Sequence, residues 1–123
     1  MFEVTVIKSF SAAHTLVETS GIREKVHGHN FKVEVTVAAS SLNASGLCMD
    51  FRDLKNYVNG ILGKMDHRLL NDLDFLNGRN PSAENIAHYI GNEMAQKLQG
   101  TSVKLSRVKV WESRDSWISY TPD

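Results

Sequence analysis

The sequence predicts an α+β domain: a four-stranded antiparallel sheet with two helices on one face, in the order ββααββ. Three observations carry that prediction. Apolar and polar residues alternate over residues 2–6 and again over 31–37, the period of a strand with one buried face. Between residues 51 and 98 the apolar residues recur at helical spacing, as on a helix lying against a core. After Gly100 the two-residue period returns at Val108 and Val110. The 123 residues read as one domain, residues 1–123, with no linker, repeat or low-complexity segment. A chain of this size buries roughly two-thirds of its unfolded surface, enough for a core without staples.

The elements follow in order. Phe2, Val4 and Val6 alternate with Glu3 and Thr5, and the strand runs on to Ala13 or His14. Residues 15 to 28 are mostly polar. That is long for a hairpin connection, and long connections in compact domains are often functional. In the second strand Phe31, Val33, Val35 and Val37 alternate with Lys32, Glu34 and Thr36. His29 has the parity of the apolar face, and so does His27 if the strand extends that far. Asp50 caps a helix starting near Phe51, with Leu54, Val58, Ile61, Leu62 and Met65 in its stripe and Asp66-His67 at its end. Residues 71 to 80 read as a loop. Ser82 caps a second helix, with Glu84 in its first turn, where a carboxylate suits the helix dipole. Ile86, Tyr89, Ile90, Met94 and Leu98 form its buried face, and Gly100 stops it. Glu112 shares the parity of Val108 and Val110. A turn over 113–116 leads to a short strand, Trp117 to Tyr120.

Two helices cover only one face of such a sheet. The other face and the two edges need an explanation, because exposed strand edges are a liability. Ring closure would remove them, so a symmetric homo-oligomer is expected. Fourteen basic and fourteen acidic side chains cancel, which argues against a nucleic-acid partner while leaving room for a local basic pocket. Cys48 is the only cysteine, so there is no disulfide framework and a reducing compartment is the simpler inference. No apolar run approaches membrane-spanning length, and the N-terminus reads as a strand and not as a signal peptide. The expectation is a cytoplasmic protein with no membrane partner.

The chemistry concentrates in Glu24-Lys25-Val26-His27-Gly28-His29, read with His14 in Phe10-Ser11-Ala12-Ala13-His14. Two histidines one residue apart on an extended segment point to the same side. A third upstream, across a plausible hairpin, can close a three-nitrogen cage. Three protein ligands with one open position is the pattern of a catalytic Zn2+ site. Glu24 lies just outside, where a base acting on a metal-bound substrate is useful.

The chain resembles the 6-pyruvoyltetrahydropterin synthase / 6-carboxytetrahydropterin synthase family. The matching pieces are Phe10-Ser11-Ala12-Ala13-His14, His27-Gly28-His29-Asn30, Gly46 through Asp50-Phe51, Asp66-His67 with Leu70-Asn71, Pro81-Ser82-Ala83-Glu84-Asn85, and Glu112. The resemblance implies the tunnelling fold, assembled through trimeric barrels, commonly into hexamers, with active sites for pterins at subunit interfaces. It implies that His14, His27 and His29 are zinc ligands and that Asp66 and His67 are a catalytic proton-transfer pair. Glu112 would anchor the pterin ring, since a carboxylate can accept two parallel hydrogen bonds from its amino and imino groups. Ser82 and Glu84 would line the pterin pocket. Read without the family, Asp66-His67 is a helix end, Glu112 a strand-end carboxylate and Ser82 an ordinary cap.

One departure bears on the subtype. Members making the pyruvoyl or carboxy product carry a cysteine four residues before the first histidine of His-Gly-His, and here that position is Arg23. Cys48 sits where the family tolerates apolar residues, and reads as a small buried hydrophobe. The loop resembles the branch in which glutamate, here Glu24, replaces the cysteine. Members of that branch cleave the side chain of 7,8-dihydroneopterin triphosphate to 6-hydroxymethyl-7,8-dihydropterin, a folate precursor. The alternatives are 6-pyruvoyl- or 6-carboxytetrahydropterin synthase activity, or an idle homologue that binds pterins or purines. Arg23 and Lys25 could hold Glu24 charged, meet the triphosphate, or be solvated loop cations.

Overall fold

A computed structural model describes all 123 residues, Met1–Asp123. Its elements are β1 (Phe2–His14), β2 (His27–Ala39), α1 (Phe51–Leu62), α2 (Ala83–Lys97), β3 (Lys104–Trp111) and β4 (Trp117–Tyr120). The four strands form one antiparallel sheet in the order β1-β2-β3-β4. Both helices pack on the face formed by Val6, Phe10, Phe31, Val33, Val35, Val37, Val108 and Val110, all buried. The expected α+β architecture is therefore the observed one. No helix is long and apolar enough to cross a membrane.

Both helices start where their capping residues say. The Asp50 carboxylate accepts from the Arg52 N–H at 2.8 Å, and the Ser82 hydroxyl accepts from the Asn85 N–H at 3.1 Å. Their ends differ from expectation. α1 closes at Leu62, where the Gly63 N–H bonds back to Asn59 O at 2.9 Å, so Met65, Asp66 and His67 lie in the turn beyond it. Met65 is still fully buried, so the apolar spacing outlasts the helix. α2 stops at Lys97, three residues before Gly100, whose φ of +78° suits glycine in the turn that follows. The connection over 71–80 also contains two short 3₁₀ turns, Leu70–Asp72 and Asp74–Leu76, which bury Leu70 and Leu76.

A β-bulge in β3 decides the other face. Thr36 pairs with Arg107 and Val37 with Leu105, so Ser106 is the extra residue. The bulge turns Leu105 inward beside Val108 and Val110 despite its opposite parity. It also sends Ser106 and Arg107 to Glu3, whose carboxylate accepts from them at 2.9 and 3.3 Å and is held below the usual carboxylate range, chiefly by the Ser106 bond. The face without helices is thus mostly polar, with Glu34–Lys109 as a second ion pair and Ile7 and Trp117 among its exposed apolar residues.

α2 meets the sheet closely at Gly91. A Cβ there would stand 2.5 Å from Cε2 of Tyr120, so the helix reaches β4 only because residue 91 lacks a side chain. Overpacking of this kind costs about 1–3 kcal/mol, against up to ~1 kcal/mol gained by alanine's helix propensity. Gly91→Ala should therefore destabilise the domain. In a Tyr120→Ala background the clash is gone, and the same substitution should stabilise it. Urea midpoints of the four proteins check both signs.

Candidate metal centre and active site

The β1–β2 register brings the histidines together. His14 pairs directly with His27, and Ala12 with His29. Residues paired across an antiparallel ladder share a face, so all three imidazoles lie at the open end of the helix-covered face. Phe31 is their floor, with ring centroids 5.3 Å from His14 and 4.5 Å from His29, both edge to face. His14 is 2% exposed, and its Nδ1 lies 2.8 Å from Pro81 O. A carbonyl can only accept, so Nδ1 carries the hydrogen, and in the neutral ring Nε2 keeps its lone pair. His27 repeats the pattern, with Nδ1 3.3 Å from Lys25 O. The two Nε2 atoms then face each other at 3.0 Å. Two lone pairs at that distance repel unless a proton or a cation lies between them.

His29 supplies the third nitrogen. Its Nε2 is buried and has no hydrogen-bond partner, which costs free energy unless something binds there. The donor set thus fits a metal of the zinc type, with three neutral imidazoles and two of their tautomers fixed by backbone carbonyls. The cage is not closed as it stands. No group of three or more His, Cys, Asp or Glu side chains is arranged to hold a metal, and the His14 and His29 ring centroids are 6.3 Å apart. The side chains have to adjust to share one ion.

Glu24 belongs to the strap joining β1 to β2. Its N–H donates to Leu16 O at 3.0 Å, and its carboxylate accepts from the Leu16 N–H at 3.1 Å. The Thr15 hydroxyl donates to the Glu24 carbonyl, and Val17 bridges Arg23. Glu24 is exposed, three residues from His27, with Arg23 and Lys25 exposed beside it.

Asp66 and His67 sit at the outer edge of β1. The Ser11 N–H donates to Asp66 Oδ1 at 2.9 Å, the His67 N–H donates to Ser11 O at 2.6 Å, and His67 Nδ1 lies 3.0 Å from Asp66 Oδ2. His67 is held at φ +59°, a conformation that non-glycine residues seldom adopt and that recurs at functional sites. An open cleft of about 480 Å³ runs here, lined by Ser11, Gly28, His29, Asn30, His67 and Arg68 among others. It joins the third histidine to the Asp66–His67 pair and has the size of a small-ligand site.

Residues 3–123 match the model of the 6-pyruvoyl tetrahydropterin synthase family. The chain belongs to that family. It is 42% identical over 116 residues to a putative 6-carboxy-5,6,7,8-tetrahydropterin synthase of Archaeoglobus fulgidus, covering 93% of this chain and 90% of that protein. It is 38% identical over 107 residues to the dihydroneopterin monophosphate aldolase of Pyrococcus furiosus, covering 87% and 86%. A solved Plasmodium vivax 6-pyruvoyltetrahydropterin synthase shares the fold, with a TM-score of 0.82 at 22% identity over 99% of this chain and 98% of that one. That structure is an alanine variant of a glutamate named there as a catalytic residue.

Within this member of the family, the remaining expected residues are spread apart. Glu112 is exposed just past β3. The β2–β3 ladder ends at Lys32–Trp111, so Glu112 lies one residue beyond it, where its N–H donates to Ser116 O at 2.9 Å. Ser82 caps α2 and follows Pro81, the residue that orients His14, while Glu84 is exposed on the first helical turn; neither lines the cleft. Cys48 is half-buried against the core, its Sγ 3.7 Å from Phe2 O, away from the histidines. In the sequence Asn71 stands only as part of the Leu70-Asn71 piece of the resemblance and Asn80 only as a loop residue, and nothing there signals the Pro81 carbonyl. Both asparagines grip the strap through their side-chain amides.

The Ser11 N–H and then the His67 ring hold the Asp66 carboxyl below its ordinary 3.8. A carboxyl with a depressed folded pKa takes its proton later than in the unfolded chain. Its stabilisation is complete above the unfolded value and is lost as pH falls through the folded one. Urea midpoints of the parent protein and Asp66→Asn should therefore converge as pH falls below the ordinary 3.8 and through the lower folded value.

Proposed function

We propose that this chain is a zinc-dependent lyase that cleaves the side chain of 7,8-dihydroneopterin triphosphate to 6-hydroxymethyl-7,8-dihydropterin, a folate precursor. The observation that carries this reading is the trio of imidazole nitrogens: Nε2 of His14 and His27 face to face at 3.0 Å, and a buried Nε2 of His29 without a partner. These three residues would hold the ion, which supplies positive charge that lowers the cost of ionising a substrate hydroxyl. Support for cleavage comes from Glu24, the carboxylate in the strap where Arg23 stands in place of a thiol. The aldolase name of the Pyrococcus relative and the catalytic glutamate named for the Plasmodium protein point the same way.

The residues then divide the work. Glu24 takes the proton from the hydroxyl on the second side-chain carbon. The bond between the first and second side-chain carbons breaks, and its electron pair stays with the first carbon, spread into the pterin ring. The second carbon leaves as an aldehyde carrying the phosphates. The Asp66–His67 pair returns a proton to the first carbon, which completes the hydroxymethyl group. Glu112 anchors the ring's amino and imino groups. Ser82 caps α2 and Glu84 is exposed on its first turn, so within one chain neither is given a part in binding the ring. Arg68 lines the cleft and Arg23 and Lys25 are exposed on the strap, so these cations would be available to the phosphates. With Cys48 as its only thiol, the protein suits a reducing cytoplasm.

Several observations favour a homo-oligomer, with a hexamer expected from the family. The pieces of this site are spread along one end of a single chain. Segment 66–69 covers the outer edge of β1 only near Ser11 and Ala13. Pairing between copies at the remaining outer-strand edges would close them.

About one zinc per chain is expected, and dialysed His27→Ala and His29→Ala proteins should lose it. Elemental analysis of the folded variants checks this without reference to activity.

Mass spectrometry of products identifies the reaction. Dihydroneopterin triphosphate should yield the hydroxymethyl pterin, and the monophosphate tested in parallel fixes the phosphorylation state. A carboxy product would return the chain to the reading favoured by the Archaeoglobus relative; a pyruvoyl product would make it a 6-pyruvoyltetrahydropterin synthase, and binding without turnover an idle homologue. Glu24→Ala and Glu24→Gln should keep zinc and lose about 10²–10⁴-fold in turnover. Cys48→Ala should change it little.

A further inference from the structure

The strap from Thr15 to Val26 is built like a small sheet in which one strand is made of side chains. Leu16 and Glu18 bond to the returning arm: Glu24 N–H donates to Leu16 O at 3.0 Å, and Glu18 N–H to Ile22 O at 2.8 Å. Backbone groups alternate sides along an extended segment, so those of Thr15 and Val17 point to the opposite edge. There they meet two asparagines. The Thr15 N–H donates to Asn71 Oδ1 at 3.0 Å, and Asn71 Nδ2 donates to Thr15 O at 2.8 Å. The Val17 N–H donates to Asn80 Oδ1 at 2.9 Å, and Asn80 Nδ2 donates to Val17 O at 2.9 Å. A carboxamide presents a donor and an acceptor side by side, which is what a neighbouring strand offers.

Polar bonds hold the arm that carries Glu24: the Leu16 N–H also donates to the Glu24 carboxylate at 3.1 Å, and the Thr15 hydroxyl donates to the Glu24 carbonyl. Ile22 and Val26 are 63% and 58% exposed, so apolar packing does not fix it. The clip, by contrast, is tied to the metal ligands. Asn85 Nδ2 donates to Asn80 O at 2.7 Å, and the next carbonyl, of Pro81, receives the His14 ring. One short segment thus references both His14 and the strap.

We propose that Asn71 and Asn80 are positioning residues, a side-chain clamp that sets the Glu24 carboxylate relative to the histidines. The proposal rests on the reading of Glu24 as the base. Each asparagine acts through the strap backbone and touches no reacting atom.

The test uses Asn71→Asp, Asn80→Asp and the double variant. Aspartate keeps the acceptor for the strap N–H and sets a second acceptor against the strap carbonyl. Amide hydrogen exchange, zinc content, kcat and KM are measured on each. Exchange at Leu16, Val17 and Glu24 should quicken by about tenfold or more, the scale of one lost hydrogen bond. The β2 amides should keep their protection, zinc should remain, and kcat should fall with KM little changed. Unchanged exchange at Leu16 and Glu24 overturns the clamp. So does protection lost equally along β2, which marks a merely structural role, and so does a freed strap with parental kcat. Glu24→Ala, run alongside, separates the two ideas. If that variant turns over normally, the base assignment fails and the clamp's purpose with it. If it is dead while the aspartate variants keep parental kcat, only the clamp fails.

Discussion

The site hangs on one register. His14 stands opposite His27, and Ala12 opposite His29, because β1 and β2 pair without a slip from Phe2–Ala39 to the strand ends. Side chains alternate with a period of two, so moving that pairing by one residue would put the partners on opposite faces. The register is strongly specified because Phe10 meets Phe31 and Val6 meets Val35 on the buried side, with the two phenylalanine rings stacked at 5.0 Å. The apolar core thus fixes histidine positions that the histidines alone could not fix, since the facing lone pairs of His14 and His27 repel.

Above that packed floor, the same end of the molecule is oriented by polar bonds. Pro81 O orients His14, Ser11 and His67 hold Asp66, and two asparagines grip the strap. Such bonds are directional and fix orientation well, but each contributes only about 0.5–1.5 kcal/mol net. They can place a carboxylate or a ring while leaving the segment cheaper to move than the strands beneath it. A substrate pocket at the mouth of a rigid sheet can use both properties.

Much of the fold was legible because burial imposes a period. The strand alternation, the Asp50 and Ser82 caps and the short β4 all appear where the sequence puts them. Parity also placed His27 and His29 on one face. The departures from that period have separate reasons. Met65 kept the helical spacing although α1 had closed at Gly63, since a residue beyond a helix can still point into the core. Leu105 broke parity because of the bulge at Ser106, and no local pattern announces a bulge. In the site, the charged and ring-bearing residues were found from their chemistry. Asn71, Asn80 and the Pro81 carbonyl were not, because a backbone acceptor is carried by every residue and an asparagine in a loop has many uses.

The layer architecture, the identity of the candidate ligands and the absence of a thiol in the strap follow from residue type and local period alone. Which carbonyl fixes the His14 tautomer, and that Asp66 leans on Ser11, come from the folded chain. Those contacts join residues 55 to 67 positions apart in the chain. No periodic signal reaches that far, because it records which face a residue occupies and not which distant residue meets it there.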